Sequence, residues 1–74
     1  MITIRPDQSV QIELVRTALA TSSIFDLRQL FVVETDDGLT LRGSVSSYYH
    51  KQLAQETALA VADMPLVNDI AVAE

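Results

Sequence analysis

The chain has 74 residues, of which 49% are hydrophobic but only 5% aromatic, and ten acidic against five basic residues give a formal net charge of -5. This length fits one small domain with a core of aliphatic side chains. The charge balance excludes a nucleic-acid interface and disfavours adsorption to anionic lipid, because both need clustered Lys and Arg. The chain lacks cysteine, which excludes disulfides, thiolate metal sites and a cysteine nucleophile.

Residues 1–9 are predicted to form an N-terminal arm ahead of a single domain over residues 10–74. Ile2 and Ile4 alternate with polar residues, which favours a short extended segment before Pro6. The arm lacks the basic region and apolar run of a signal peptide, and no stretch approaches the ~20 apolar residues of a membrane span. From the chain as given we expect a soluble cytoplasmic protein, although a domain cut from a longer precursor would look the same.

Apolar residues at helical spacing predict the first helix, with Asp7 or Ser9 as its N-cap. The apolar stripe consists of Val10, Leu14, Val15, Ala18 and Leu19. Hydroxyl side chains at residues 21–23 compete for backbone hydrogen bonds and end the helix. Residues 24–27 then form a connector whose apolar side chains tuck under the core.

A hairpin is predicted next. Residues 31–35 lead through Asp37 and Gly38 into residues 39–45, and an Asp-Gly pair between alternating apolar residues is a strong signal for chain reversal. Asp36 and Asp37 also resemble the start of a calcium loop, but the further oxygen ligands and the closing Glu do not follow. Turn chemistry therefore explains both residues, since Asp side chains bond to nearby backbone amides.

The alternation within the hairpin predicts which side chains face the helices. We expect the set beginning with Phe31 to face inward, and Leu30 and Val32 to face outward. In the second strand the inward residues are Leu39, Leu41 and Val45, and the outward residues are Thr40, Arg42, Ser44 and Ser46. Gly43 falls on the inner face, where it either lets the second helix pass close to the sheet or marks a bulge.

The rest of the chain predicts a helix and a final strand. Ser46 or Ser47 caps the helix, and Pro65 ends it. Its apolar positions are Tyr49, Leu53, Thr57, Ala60, Val61 and Met64. Residues 66–69 turn the chain into a short strand, residues 70–72, parallel to the strand before the helix. The predicted fold is an α+β two-layer sandwich of order αββαβ: a three-stranded mixed sheet, with residues 31–35 in its middle, and two helices on one face.

This succession of residues resembles the BON domain family. The matching residues are Asp37-Gly38, Leu39, Leu41, Gly43-Ser44-Val45, the helix from Ala54 to Ala62, Val67, Asn68, Ile70 and Val72, with Val15, Ala18 and Leu19 in the first helix. The resemblance runs from about Val10 to the end, and Leu66 departs from it by standing where the family usually has glycine. It implies a non-catalytic bacterial domain, periplasmic or envelope-associated if cut from a longer precursor, that binds phospholipid surfaces or assists contacts between envelope components.

No set of residues in the sequence indicates catalysis. His50 is the only histidine, and Glu56, the nearest acidic residue in sequence, lies on a different helical face, so we interpret His50 as a solvated helix residue. There is no Gly-x-Ser-x-Gly elbow, and two glycines, Gly38 and Gly43, are too few for a phosphate-binding loop. We predict no enzymatic activity, no metal and no cofactor.

Apolar residues that a sheet covered on one side leaves exposed predict a contact surface. These residues are Leu30 and Val32 on the sheet and Tyr48 and Leu59 on the second helix. Scattered exposed apolar residues are also normal, and both helix residues could instead pack against the first helix. We expect a non-catalytic BON-like binding module that contacts a phospholipid surface or a protein partner. The alternative is a homodimerisation module that pairs through the Ile2–Ile4 arm or an exposed strand edge.

Overall fold

Helices and strands follow one another in the α+β order that the sequence predicts, with one short helix added. The computed structural model describes residues 8–73. Its elements are α1 (Gln8–Ala20), α2 (Phe25–Arg28), β1 (Phe31–Glu34), β2 (Leu39–Val45), α3 (Tyr48–Leu59) and β3 (Leu66–Val72). The connector predicted over residues 24–27 is thus largely a single helical turn, α2, which buries Leu27. The predicted extended arm with Ile2 and Ile4 lies outside the described residues.

The sheet has the order β1-β2-β3, which corrects the prediction that residues 31–35 lie in its middle. β1 pairs with β2 in antiparallel register from Phe31 opposite Arg42 to Glu34 opposite Leu39. β2 pairs with β3 in parallel, as predicted. The hairpin occupies one edge of β2, and the crossover through α3 places β3 on the other edge, so β2 is the central strand.

β3 begins at Leu66, well before Ile70, where the sequence predicted it to start. The prediction failed because Asn68, a polar residue, occupies an inward position opposite Leu41. Its side-chain amide donates hydrogen bonds to the Lys51 carbonyl at 3.0 Å and to Gln55 Oε1 at 3.2 Å. These bonds satisfy a polar side chain that lies between the sheet and α3, and they join β3 to α3.

The core lies between the helices and one face of the sheet. Its buried residues are Ile12, Val15, Leu19, Leu27, Val32, Leu39, Leu41, Val45, Ala54, Ala58 and Ile70. The apolar stripe predicted for α1 is partly wrong, because Ile12 is buried while Val10 and Leu14 are nearly half exposed. Ser9 lies inside α1 and is not its cap, and Asp7 is outside the described residues.

α3 packs through small side chains, and its predicted apolar face is partly wrong. Leu53 and Met64 pack against the core as predicted. Ala54 and Ala58 are fully buried, whereas Tyr49 and Val61 are exposed. Ser47, one of the two predicted caps, accepts a hydrogen bond from the His50 amide at 3.2 Å. The helix ends at Leu59, so Pro65 does not terminate it, and the residues between them form a turn and a bend.

The predicted phase of β1 is wrong. Val32 is 8% exposed and belongs to the core, whereas Phe31 is 67% exposed and Val33 is 42% exposed. The hairpin register sets this phase: Val32 lies opposite Leu41, and residues directly opposite each other point to the same face of a sheet. Because Leu41 was correctly placed inward, Val32 must face inward as well.

Two glycines are required by their surroundings. A Cβ on Gly38 would lie 2.1 Å from the carbonyl oxygen of Pro65, which accepts a hydrogen bond from the Leu39 amide at 3.0 Å. Gly43 has a φ of +127°, a region that favours glycine. A Cβ there would meet Leu30 Cδ2 at 3.0 Å, so the close neighbour is the segment before β1 and not the second helix. The register continues through Gly43 without a bulge.

Candidate functional site

The side of the sheet opposite the core forms a continuous surface, which we call the outer face. It consists of Phe31 and Val33 from β1, Thr40, Arg42 and Ser44 from β2, and Val67, Asp69 and Ala71 from β3. These residues alternate along each strand with the residues that face the helices. The helices pack against the opposite, core-facing side, so this is the side that they leave open.

One row of the outer face, near the hairpin turn, crosses all three strands. Val33 lies opposite Thr40 on one side, and Val67 lies opposite Thr40 on the other. Thr40 is only 9% exposed, while Val33 is 42% and Val67 is 60% exposed. Two accessible apolar side chains therefore flank a central threonine.

The adjacent row carries the charges of the outer face. Phe31 lies opposite Arg42, and Arg42 lies opposite Asp69. Arg42 Nε is 3.8 Å from Asp69 Oδ2, and both side chains are mostly exposed. A solvated pair of this kind contributes about 0–1 kcal/mol to folding. Its main effect is to leave the outer face without net charge on a chain of charge -5.

The structure separates the residues that the sequence predicted as a contact surface. Val32 is buried, and Leu30 is half-buried and packs against the core, so neither can contact a partner there. Tyr48 and Leu59 are exposed as expected, but they lie at opposite ends of α3. The valines of the outer face were not predicted as contact residues, although the inward placement of Leu41 identifies Val33 through the hairpin register.

Leu59 belongs to a second surface, a groove of about 530 Å³ between α1 and the turn after α3. Its apolar walls are Leu14 on α1 and Leu59 and Val61 on the other side. The Asp63 amide donates a hydrogen bond to Gln11 Oε1 at 2.7 Å and joins the two walls. The groove does not extend to the sheet.

His50 has an acidic partner, which corrects the interpretation of it as a solvated helix residue. Its Nδ1 atom lies 2.8 Å from Oδ2 of Asp26, 24 residues earlier in α2. Oδ2 also accepts hydrogen bonds from the Ser46 hydroxyl at 2.6 Å and from the Ser46 amide at 2.8 Å. The Ser46 hydroxyl, together with His50 and the Ser46 amide, lowers the pKa of Asp26 from 3.8 to about 2.

Asp26, His50 and Ser46 are the residue types of a hydrolytic triad, but their arrangement is not that of a triad. In a triad the carboxylate and the hydroxyl contact opposite nitrogens of the imidazole ring. Here the Ser46 hydroxyl donates to Asp26 itself, and its 3.5 Å contact with His50 is to Nδ1, the nitrogen that faces Asp26. The arrangement therefore joins α2 to the start of α3 and does not activate Ser46 as a nucleophile.

Residues 8–73 contain no group of three or more His, Cys, Asp or Glu side chains placed to hold a metal ion. None of the helices over the same residues has the length and apolar character needed to cross a bilayer. No protein-family model matches the chain, and no curated protein matches it. Membership of the BON family therefore stays a prediction from the residues that resemble it.

Proposed function

We propose that this chain is a non-catalytic, BON-like binding module that contacts a protein partner through the outer face of its sheet. The observation that carries the proposal is the row of Val33, Thr40 and Val67, because it places accessible apolar side chains side by side on a face opposite the packed helices. Phe31, mostly exposed in the next row, extends this apolar surface. A contiguous patch of this kind is typical of an interaction site.

The charges of the outer face favour a protein over a lipid surface. Its one cation, Arg42, lies beside Asp69, so the face offers no cluster of positive charge to anionic headgroups. The net charge of -5 adds repulsion from such a membrane. A protein surface of mixed apolar and charged side chains can match both the valines and the Arg42–Asp69 pair.

The proposal is tested by measuring whether the outer face is covered in the cells that make the protein. The chain has no cysteine, so a single Val67→Cys substitution reports on this face alone. Gln52→Cys, at an exposed position on α3, is the matched control. We expect N-ethylmaleimide to label the Val67→Cys variant at least about tenfold more slowly in cells than after purification, since a bound partner excludes the reagent. The control should label at the same rate in both settings.

Labelling of the outer-face variant as fast in cells as after purification would show that the outer face is free there and would overturn the proposal. Co-sedimentation of the purified protein with vesicles of zwitterionic and of mixed anionic lipid tests the lipid alternative. We expect no binding to either. Binding that disappears in a Val33→Ser, Val67→Ser variant would replace the protein partner with a phospholipid surface.

A further inference from the structure

We infer that the partner is a second copy of this chain, packed sheet against sheet through the outer face. The inference rests on the proposed function, because it assigns an occupant to the same face. It follows from the arrangement of charge. Among residues 8–73, the outer face has a single cation, Arg42, and a single anion, Asp69, side by side on neighbouring strands. Such a face is complementary to itself.

A two-fold axis parallel to the strands and between β2 and β3 satisfies this complementarity. The operation exchanges the positions of the two strands, so Arg42 of each copy lies over Asp69 of the other. In the neighbouring row the same operation places Val67 of each copy over Thr40 of the other. Charge therefore meets opposite charge, and a valine covers the only buried polar side chain of the outer face.

The face is also the part of the surface where two acidic chains can approach. Each copy has a net charge of -5, so most pairs of surfaces repel each other. The outer face carries no net charge, and two aligned sheets pack about 10 Å apart with their side chains interdigitated. Side-chain size supports this packing, since valine, threonine and alanine occupy much of the face.

The size of the face sets the strength of the dimer. This axis overlays β2 and β3 of the two copies and leaves β1 outside the contact. Two strands of seven residues each, about 4.8 Å apart with about 3.3 Å of rise per residue, give a projected contact area of roughly 200 Å². Stable complexes bury about 800 Å² on each partner. We therefore expect a reversible dimer whose population rises with protein concentration.

Sedimentation equilibrium over about a 100-fold range of concentration tests the inference on the full chain. The parent should shift from monomer to dimer across this range. Arg42→Asp places like charges opposite each other across the two-fold axis, and so does Asp69→Arg, so each should raise the dissociation constant at least about tenfold. The double variant Arg42→Asp, Asp69→Arg restores opposite charges and should return it to within about threefold of the parent value. All four proteins should unfold at similar temperatures, because both side chains are exposed.

A parent that stays monomeric throughout, or single reversals that leave the dimer unchanged, would overturn the second copy as partner. Labelling in cells then shows whether the proposed function fails together with the dimer. If the parent is monomeric but the Val67→Cys variant is protected in cells, the outer face binds a different protein. If that variant also labels freely in cells, the proposed function fails as well.

Discussion

Nδ1 of His50 lies 2.8 Å from Oδ2 of Asp26, and this contact joins two helices that are distant in sequence. α2 has only four residues, too few for a helix to be stable by itself. The Asp26 carboxylate holds α2 against the start of α3 by accepting hydrogen bonds from Ser46 and His50. Leu27 anchors α2 in the core. The position of α2 therefore depends on one carboxylate and one leucine.

The first prediction concerns the pH dependence of stability. The Ser46 hydroxyl and His50 lower the pKa of Asp26 from 3.8 to about 2 in the folded protein. Because the folded-state pKa is the lower one, the carboxylate stabilises the fold fully above the unfolded value, and this contribution is lost as the pH falls towards about 2. In urea unfolding, Asp26→Asn should be less stable than the parent near neutral pH, and the two midpoints should converge near about pH 2.

Asp36→Asn, which removes an exposed carboxylate from the hairpin loop, controls for the change in net charge. A difference between the parent and Asp26→Asn that stays constant from neutral to acid pH would show that the hydrogen bonds of Asp26 do not stabilise the folded state.

The second prediction separates the two faces of β1. Val32 is buried opposite Leu41, so Val32→Ser should lower the free energy of unfolding by about 2–3 kcal/mol, through lost apolar burial and a buried hydroxyl. Val33→Ser makes the same chemical change on the outer face and should alter stability by no more than about 0.5 kcal/mol in the monomer. Thermal and urea denaturation at low protein concentration measure both values. Equal losses would contradict the assignment of the two faces.

The element order was readable from the sequence because its signals are local. The Asp37-Gly38 pair predicts the chain reversal. The parallel pairing of the last strand follows from a right-handed crossover through the helix that separates it from the strand before. The phase of β1 was not readable from β1 alone, since both of its alternating sets are apolar. Only the pairing of Val32 with Leu41 decides it.

The cluster around Asp26 was not predicted from the sequence for a different reason. Spacing along a helix identifies partners of His50 only within α3, whereas its acidic partner lies in α2. Asp26 is in a connector in which one turn of helix forms only through tertiary contacts, and no local pattern signals such a contact. The sequence predicted a contact surface on the outward side of the sheet. It assigned the wrong alternating set of β1 residues to that side, since Val33 and not Val32 faces outward.

The third prediction concerns Gly38. A Cβ at this position would lie 2.1 Å from the carbonyl oxygen of Pro65 and 2.9 Å from its carbonyl carbon. Both are backbone atoms, so the start of β3 must move away from β2, and the bond from the Leu39 amide to that oxygen is strained or lost. Gly38→Ala should therefore cost about 3 kcal/mol or more. Asp37→Ala, in the same loop, is the control and should cost less than about 1 kcal/mol. A Gly38→Ala protein with the parent's unfolding midpoint would rule out the close approach of Pro65.

The fourth prediction distinguishes two reasons for a glycine at position 43. The φ of +127° makes any other residue strained, at about 1–3 kcal/mol, while the 3.0 Å approach of Leu30 Cδ2 to an added methyl group is a contact that a flexible side chain can relieve. We expect the backbone to dominate, so Gly43→Ala should destabilise by about 1–3 kcal/mol. In that case the loss of stability in the double variant Gly43→Ala, Leu30→Ala should equal the sum of the two single losses within about 0.5 kcal/mol. A double variant much more stable than the sum of the two costs would show instead that crowding by Leu30, and not the backbone conformation, excludes a side chain at this position.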